Sequence, residues 1–264
     1  GMQFVTLTTD WNKDDFYTGA VKGRILKSSP RSSIIDISHR VSPFNLAQAA
    51  FIIKNCYSEF AHGSIHIIAV NSETTVKNPP VVVKINGHYF IGADNGIFGL
   101  IFKEQPETIV QLPSSQKNVR TFPELTLFAE AAAKLANGKK ITELGKKITK
   151  LKSRIPFRPT IENSSIDGKI IYIDSFKNAI TNVSFDLFQK VSKNRNYEIF
   201  VKSNHYQLNK ISQNYHDVEV GELVAVFNSL GLLEIAINHG NASELLSLDT
   251  NSTIRIKFYD NKNR

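Results

Sequence analysis

Short β-branched runs alternate with amphipathic stretches along the first half of the chain. Residues 4–8 read as a strand. A helix follows over 14–27, with Phe16, Ala20, Val21 and Ile25 near helical spacing and Pro30 as its stop. The next strand, 34–37, ends at Ser38-His39. Asn45 is placed as the cap of a helix carrying Leu46, Ala49, Ala50, Ile53 and Tyr57 on one side, and 65–70 is a third strand. Strand–helix–strand–helix–strand argues for a parallel sheet with helices packed on it. Ligands collect outside the C-terminal ends of such strands, which singles out Asp10, His39 and Asn71.

Further along, Asn86-Gly87 between 81–85 and 89–91 signals a hairpin, and 92–96 reads as another turn. Thr121 and Glu124 form a capping box for a helix over 122–136, with Pro123 tolerated in its first turn and Asn137-Gly138 as its end. Residues 153–165 carry two prolines and no periodicity, so they read as a connection between domains. Beyond it the pattern changes to strands at 169–173, 179–183, 197–201, 223–227, 232–237 and 253–258. Asn228-Ser229-Leu230-Gly231 is a turn by composition, and Asn238 or Asn241 caps a short helix after the last hairpin. The expected class is α/β: an N-terminal α/β domain with a mainly parallel sheet, then a smaller C-terminal β-barrel-like domain. The boundaries fall at 1–155, a linker at 156–166, and 167–264.

Composition narrows the class without naming a function. At 41% hydrophobic and 21% charged the chain is globular. No apolar run reaches the roughly 20 residues that span a bilayer, and no signal peptide is visible. Gly1 before Met2 reads as a remnant of expression. The single cysteine, Cys56, excludes an internal disulfide, fits a reducing cytoplasm, and is expected as a small hydrophobe on the apolar face of a helix. The net charge is +8, and nine lysines and arginines fall between Lys134 and Arg158 with one acid, Glu143. That segment reads as a helix end plus linker with a solvated basic face. It lacks the interleaved aromatics of a single-strand groove, which makes nucleic acid the weaker reading.

The seven histidines give no metal set: His62 and His66 are four apart, but His66 belongs to a strand. No dinucleotide fingerprint, P-loop or nucleophile elbow is present. Asp10 is a carboxylate just past the first strand, able to accept both hydroxyls of a ribose or to cap the following helix. Asp174, four residues before Asn178, opens a turn in which both side chains are able to bond their own backbone.

Taken together, several motifs point to one family. Thr8-Thr9-Asp10, followed by Asp15-x-Tyr17-x-Gly19-x-x-Lys22-Gly23, resembles the opening motif of the S-adenosylmethionine (SAM) hydroxide adenosyltransferases, relatives of the SAM-dependent fluorinase and chlorinase. Asp36-Ile37-Ser38-His39, Asp94-Asn95-Gly96, the run from Asp174 to Asn182 and that from Asn228 to Leu246 continue the resemblance over nearly the whole chain. The resemblance implies an adenosyl ligand, SAM or adenosine, no separate cofactor and no metal. It further implies a homotrimer with SAM held between the N-terminal domain of one subunit and the C-terminal domain of its neighbour. Asp10 matches the ribose-binding aspartate, and Asp174 and Asn178 match the pair at the methionine or ribose end. Phe44 falls where the halogenases place a tryptophan against the ligand. Ser229 and Gly240-Asn241-Ala242 match adenine and methionine contacts made partly through backbone.

The hydrolases of this family activate water with an Asp, Arg and His set. Here those positions hold Asn71, Asn78 and Pro123. Asparagine is no base, and proline has no side-chain donor or acceptor. The halogenase halide site expects a small hydroxyl where this chain has Glu124, whose charge would repel halide. Asn71 remains a ligand-facing position, Lys77 stands beside the missing arginine, and Glu124 is either a base or the reciprocal half of the capping box. The expectation is an adenosyl-binding homologue with weak or lost hydrolase activity. The alternative is an active hydrolase in which Glu124 and Lys77 compensate.

Overall fold

The computed structural model describes residues 3–12, 16–43, 45–72, 74–75, 77–113, 124–154 and 158–260, with Glu124 and Leu125 described by their backbone. The chain divides into two compact units, residues 1–156 and 157–264.

The first unit is built on one seven-stranded sheet. Its elements are β1 (Gln3–Thr9), α1 (Phe16–Ser28), β2 (Ser32–Ser38), α2 (Leu46–Lys54), β3 (Ile65–Ala69), β4 (Pro80–Ile85), β5 (His88–Ala93), α3 (Ile97–Ile101), β6 (Thr108–Gln111), α4 (Ala129–Ala136) and β7 (Lys146–Ile148). The strand order is β2-β1-β3-β5-β4-β6-β7. The pairs β1–β2, β1–β3 and β3–β5 are parallel, and the strands beyond β5 are antiparallel. Val5, Leu7, Ile65 and Ile67 pack under α1 and α4 on one face, while Ile68 and Val70 pack under α2 and α3 on the other. Burial on both faces is why β3 reads as a continuous apolar run rather than an alternating one. Because β1 lies between β2 and β3, the chain reverses its direction across the sheet there, and the gap between the C-terminal ends of β1 and β3 is a topological switch point, the kind of place where open α/β sheets generally bind ligands.

Local chemistry accounts for the boundaries. The Asn45 side chain accepts from the Gln48 N–H and starts α2, a cap worth about 1 kcal/mol. Asn86 and Gly87 both take positive φ, 52° and 77°, as a two-residue hairpin turn requires. Several expectations are revised. Tyr57 is not on α2, which ends at Lys54, and Cys56 precedes a separate 3₁₀ turn at intermediate exposure instead of lying on a helix face. Gly92 and Ala93 belong to β5 and not to the turn after it. The basic segment is not simply helix end and linker: it contains β7, an edge strand whose exposed Lys146 and Lys147 hinder further strand pairing. Its three-residue run is too short to show a period. The proposed cap residues Thr121–Pro123 lie outside the described residues. From Glu124 to Phe128 the backbone is π-helical, becoming α-helical at Ala129.

The second unit is a nearly closed antiparallel barrel. Its elements are β8 (Thr160–Glu162), β9 (Ser165–Ile173), β10 (Ala179–Ser184), α5 (Phe185–Ser192), β11 (Asn196–Val201), β12 (Tyr206–Leu208), β13 (Leu223–Phe227), β14 (Leu232–Ile237), α6 (Ala242–Leu245) and β15 (Thr253–Tyr259). The order β12-β11-β15-β9-β10-β14-β13 surrounds one core, with β8 pairing off β9 within the stretch that read as a connection. The Ser212 N–H donates to the Ala225 carbonyl at 2.8 Å and narrows the gap between β12 and β13.

One buried polar group stands out in the first unit. His66 Nδ1 lies 2.7 Å from Thr6 Oγ1, and its Nε2 lies 3.0 Å from His88 Nδ1. Burial, with the neighbouring His88, pushes His66 from 6.5 down to about 3. The unfolded chain therefore takes up this proton near pH 6.5 while the folded chain refuses it until about pH 3. The stability present above pH 6.5 is lost as the pH falls through that window. Between pH 7.5 and 5 this residue is expected to withdraw about 2 kcal/mol. Urea unfolding at the two pH values checks it: His66→Gln should show a smaller loss than wild type, and equal losses would refute the assignment.

Candidate functional site

In the first unit the site begins where β1 runs out. The Asp10 N–H continues the ladder to the Ala69 carbonyl at 3.2 Å, which carries the carboxylate to the open end of the sheet. There Asp10 Oδ2 accepts from the backbone N–H of Asn71, just beyond β3, at 3.1 Å. Asn71 has a left-handed φ of 46°, a conformation asparagine tolerates better than most residues.

The loop after Asp10 is held from the β2 side. Asn12 donates its N–H to the His39 carbonyl at 2.8 Å, and its side-chain amide donates to the carbonyls of Asp10 and Val41. Trp11 stacks on His39, with centroids 5.9 Å apart and planes 8° from parallel. His39 Nε2 lies 2.8 Å from Asp36 Oδ1 and its Nδ1 lies 2.8 Å from Thr9 Oγ1. Since a carboxylate only accepts, Nε2 carries a proton toward Asp36, and the Thr9 hydroxyl, able to donate or accept, meets Nδ1. Burial pushes Asp36 upward, but hydrogen bonds from Lys22 and His39 outweigh it and hold the carboxyl below its usual range. The Asp-Ile-Ser-His motif is thus the clamp behind the Asp10 loop.

The polar loop after Asn71 presents a different picture. Lys77 is exposed. Asn78 closes a turn with Thr75 through bonds of 3.0 Å in both directions. Its side-chain oxygen accepts from Lys152 Nζ, while the Lys152 N–H donates to Asp94 Oδ1 at 3.0 Å. Burial pushes Asp94 upward, with the Lys152 N–H and charge working against it. Lys152 is therefore the ammonium on Asn78. No local pattern pointed to it, because it lies 74 positions away in sequence. Phe44 and the Glu124 side chain lie outside the described residues.

In the second unit, Asp174 and Asn178 close one turn at the end of β9. The Asp174 N–H donates to the Asn178 carbonyl at 3.1 Å, and Asp174 Oδ1 accepts from the Asn178 N–H at 2.9 Å. The Lys177 carbonyl accepts from the Ser243 N–H, which joins this turn to α6. Asn241 caps that helix: its side-chain oxygen accepts from the Glu244 N–H at 3.0 Å. Ala242 is fully buried in the core, so both offer a ligand chiefly backbone groups. Ser229 is exposed in the turn at the opposite end of the β13–β14 hairpin, roughly 17 Å away along five residues of strand. Asp174, Asn178, Asn241 and Ala242 are thus brought together, while Ser229 stands at the far end.

Between these ends lies a pair that sequence reasoning missed. Glu234 is buried, and its two oxygens accept from the Tyr215 hydroxyl at 2.6 Å and the Asn228 amide at 3.0 Å. Burial first, and then the Glu234 bond, push the Tyr215 phenol well up. A buried acid in a strand facing an asparagine turn is the only local signal that it carried.

The N-terminal-domain model of the SAM hydroxide adenosyltransferases matches residues 5–145, and the C-terminal-domain model matches residues 168–255. The chain belongs to the SAM hydroxide adenosyltransferase family. It is 28% identical to the (R)-S-adenosyl-L-methionine hydrolase of Methanocaldococcus jannaschii over 97% of this chain and 96% of that one. The hydrolase of the same name from Thermus thermophilus is 26% identical, over 97% of this chain and all of that one. Among solved structures, an uncharacterized conserved protein from Thermotoga maritima matches with a TM-score of 0.83 at 28% identity. That match covers 97% of this chain and all of the other. For this member of the adenosyltransferase family, the described residues contain no group of three or more His, Cys, Asp or Glu side chains able to hold a metal ion. They also contain no helix long and apolar enough to cross a membrane.

The second unit yields a stability prediction. Asp174→Ala removes the acceptor of the Asn178 N–H and should cost about 1 kcal/mol, read as a lower urea midpoint with an unchanged slope. A midpoint equal to wild type would show that the turn does not depend on this carboxylate.

Proposed function

We propose that this adenosyltransferase relative binds SAM or its adenosyl part through Asp10, and that its hydrolytic step is weak or lost. One contact carries the reading. Asp10 is held by the backbone N–H of residue 71, a bond the side chain there does not make and one that asparagine and aspartate, both tolerant of a left-handed φ, equally allow. Replacing the family's aspartate by Asn71 therefore spares the ribose acceptor while removing a base. Hydrolysis requires a water oxygen to bond to C5′ while the C5′–S bond breaks. Methionine then leaves as a neutral thioether, and the proton passes to a base or to solvent. Asn71, Asn78 and Pro123 offer no group to accept that proton.

A second reading has one observation in its favour. Lys152 Nζ donates to Asn78 Oδ1, so an ammonium lies against the residue that the family pattern aligns with its arginine. The sulfonium is already a good leaving group, and positioning alone supplies part of the catalysis. In this reading Lys152, Lys77 or Glu124 supports slow turnover. A homotrimer and a cytoplasmic location belong to the same proposal. Light scattering at high concentration tests the trimer, and a monomer throughout would overturn it.

Two measurements separate the readings. Calorimetry with SAM and adenosine should show binding that Asp10→Ala weakens by up to a few kcal/mol, the size of charge-assisted hydrogen bonds left unmade. No heat with either ligand would sink the proposal. Incubation with SAM should release little or no adenosine and methionine. Useful turnover that Lys152→Ala or Glu124→Gln abolishes would establish the compensated enzyme instead.

A further inference from the structure

Asn95 sits in the turn after β5, yet each of its side-chain bonds bears on the Asp10 crevice or on the turn itself. Its amide nitrogen donates to the Asn71 carbonyl at 2.9 Å and to the Val70 carbonyl at 3.3 Å. Its oxygen accepts from the Ile97 N–H at 3.2 Å, which fixes which end of the amide is which. The side chain is 7% exposed, so these bonds form away from competing water. The turn is itself anchored, by the Asp94 N–H to the Pro79 carbonyl at 2.8 Å and by the Lys152 N–H to Asp94 Oδ1.

These bonds converge on one strained residue. Asn71 holds a left-handed φ, and its N–H, which shares a peptide plane with the Val70 carbonyl, donates to Asp10 Oδ2. Asn95 pins the carbonyls of the two peptides that flank the Asn71 Cα: that of Val70, in the same peptide as this N–H, and that of Asn71 itself. We infer that Asn95 is a positioning residue for the adenosyl site: it holds Asn71 in its left-handed conformation and so aims the Asp10 carboxylate at the ligand.

This inference rests on the reading of Asp10 as the ribose acceptor and adds to it a residue that need not touch the ligand. A purely structural Asn95 would close its own turn and stabilise the unit without affecting Asp10. The two roles differ in coupling, which a double-mutant cycle measures.

The experiment titrates adenosine into wild type, Asn95→Ser, Asp10→Ala and the double variant, with the thermal midpoint of each recorded. Serine keeps an acceptor for the Ile97 N–H while giving up the double donor, and Asn95→Ala is the second variant. With Asp10 present, losing Asn95 should weaken adenosine binding about tenfold, the loss of one well-made hydrogen bond. With Asp10→Ala in place, the same change should leave the affinity within about twofold, because no carboxylate remains to be aimed. An equal weakening in both backgrounds, or a lowered midpoint with unchanged affinity, would make Asn95 structural and overturn the inference. Failure of both Asn95 variants to fold would do the same. If wild type itself binds neither adenosine nor SAM, the Asp10 reading falls and this inference falls with it. Binding without coupling removes the inference alone.

Discussion

The first unit depends on one hydrogen bond across the end of its sheet, from the Asn71 N–H to Asp10 Oδ2. The strands on either side are parallel neighbours, and beyond their last ladder bond nothing in a regular sheet would hold the two loops in a common geometry. This bond does so with a backbone donor. A backbone donor cannot be lost by substitution except to proline, so the carboxylate's orientation survives changes at position 71 that alter its chemistry. In the function proposed above, that separates ligand binding from proton transfer, since the bond to Asp10 needs no side chain at position 71.

The surrounding packing explains why so short a bond network suffices. Helices cover both faces of β1 and β3, and the strands themselves are buried, so the ends of these strands have little freedom to shift. The loops that leave them are then tied sideways. His39 and Asn12 act from the β2 side, while Asn95 acts from the β5 side. Asp10 thus projects from a packed frame, and the described polar residues of its loop, Asp10 and Asn12, are both hydrogen-bonded, the arrangement that limits the entropy lost when a ligand docks.

The second unit uses polar side chains in the same way, to shape backbone. Asp174 closes its own turn, Asn241 caps α6, and Asn228 accepts the Leu230 and Leu232 N–H groups while donating to Glu234. Ala242, fully buried in the core beside the Asn241 cap, holds the start of α6 against the barrel.

Much of this was legible in the sequence. Asn45 as a cap, Asn86-Gly87 as a hairpin, and the change from alternating strand and helix to strands alone are local signals, because each depends on residues within a few positions of one another. The strand pattern likewise placed Asp10 just past a strand and Asp174 and Asn178 in the turn that follows another. What the sequence could not decide were the short or unpatterned elements, β7, β8 and β12, whose formation depends on a neighbouring strand edge rather than on their own three residues. Nor could it decide which polar groups meet across long separations. Lys152 on Asn78, Glu234 under Tyr215, and Asn95 behind Asn71 are set by strand order and register. Their hydrogen bonds are strong only where packing excludes water, and that exclusion is a property of the assembled structure and of no segment alone.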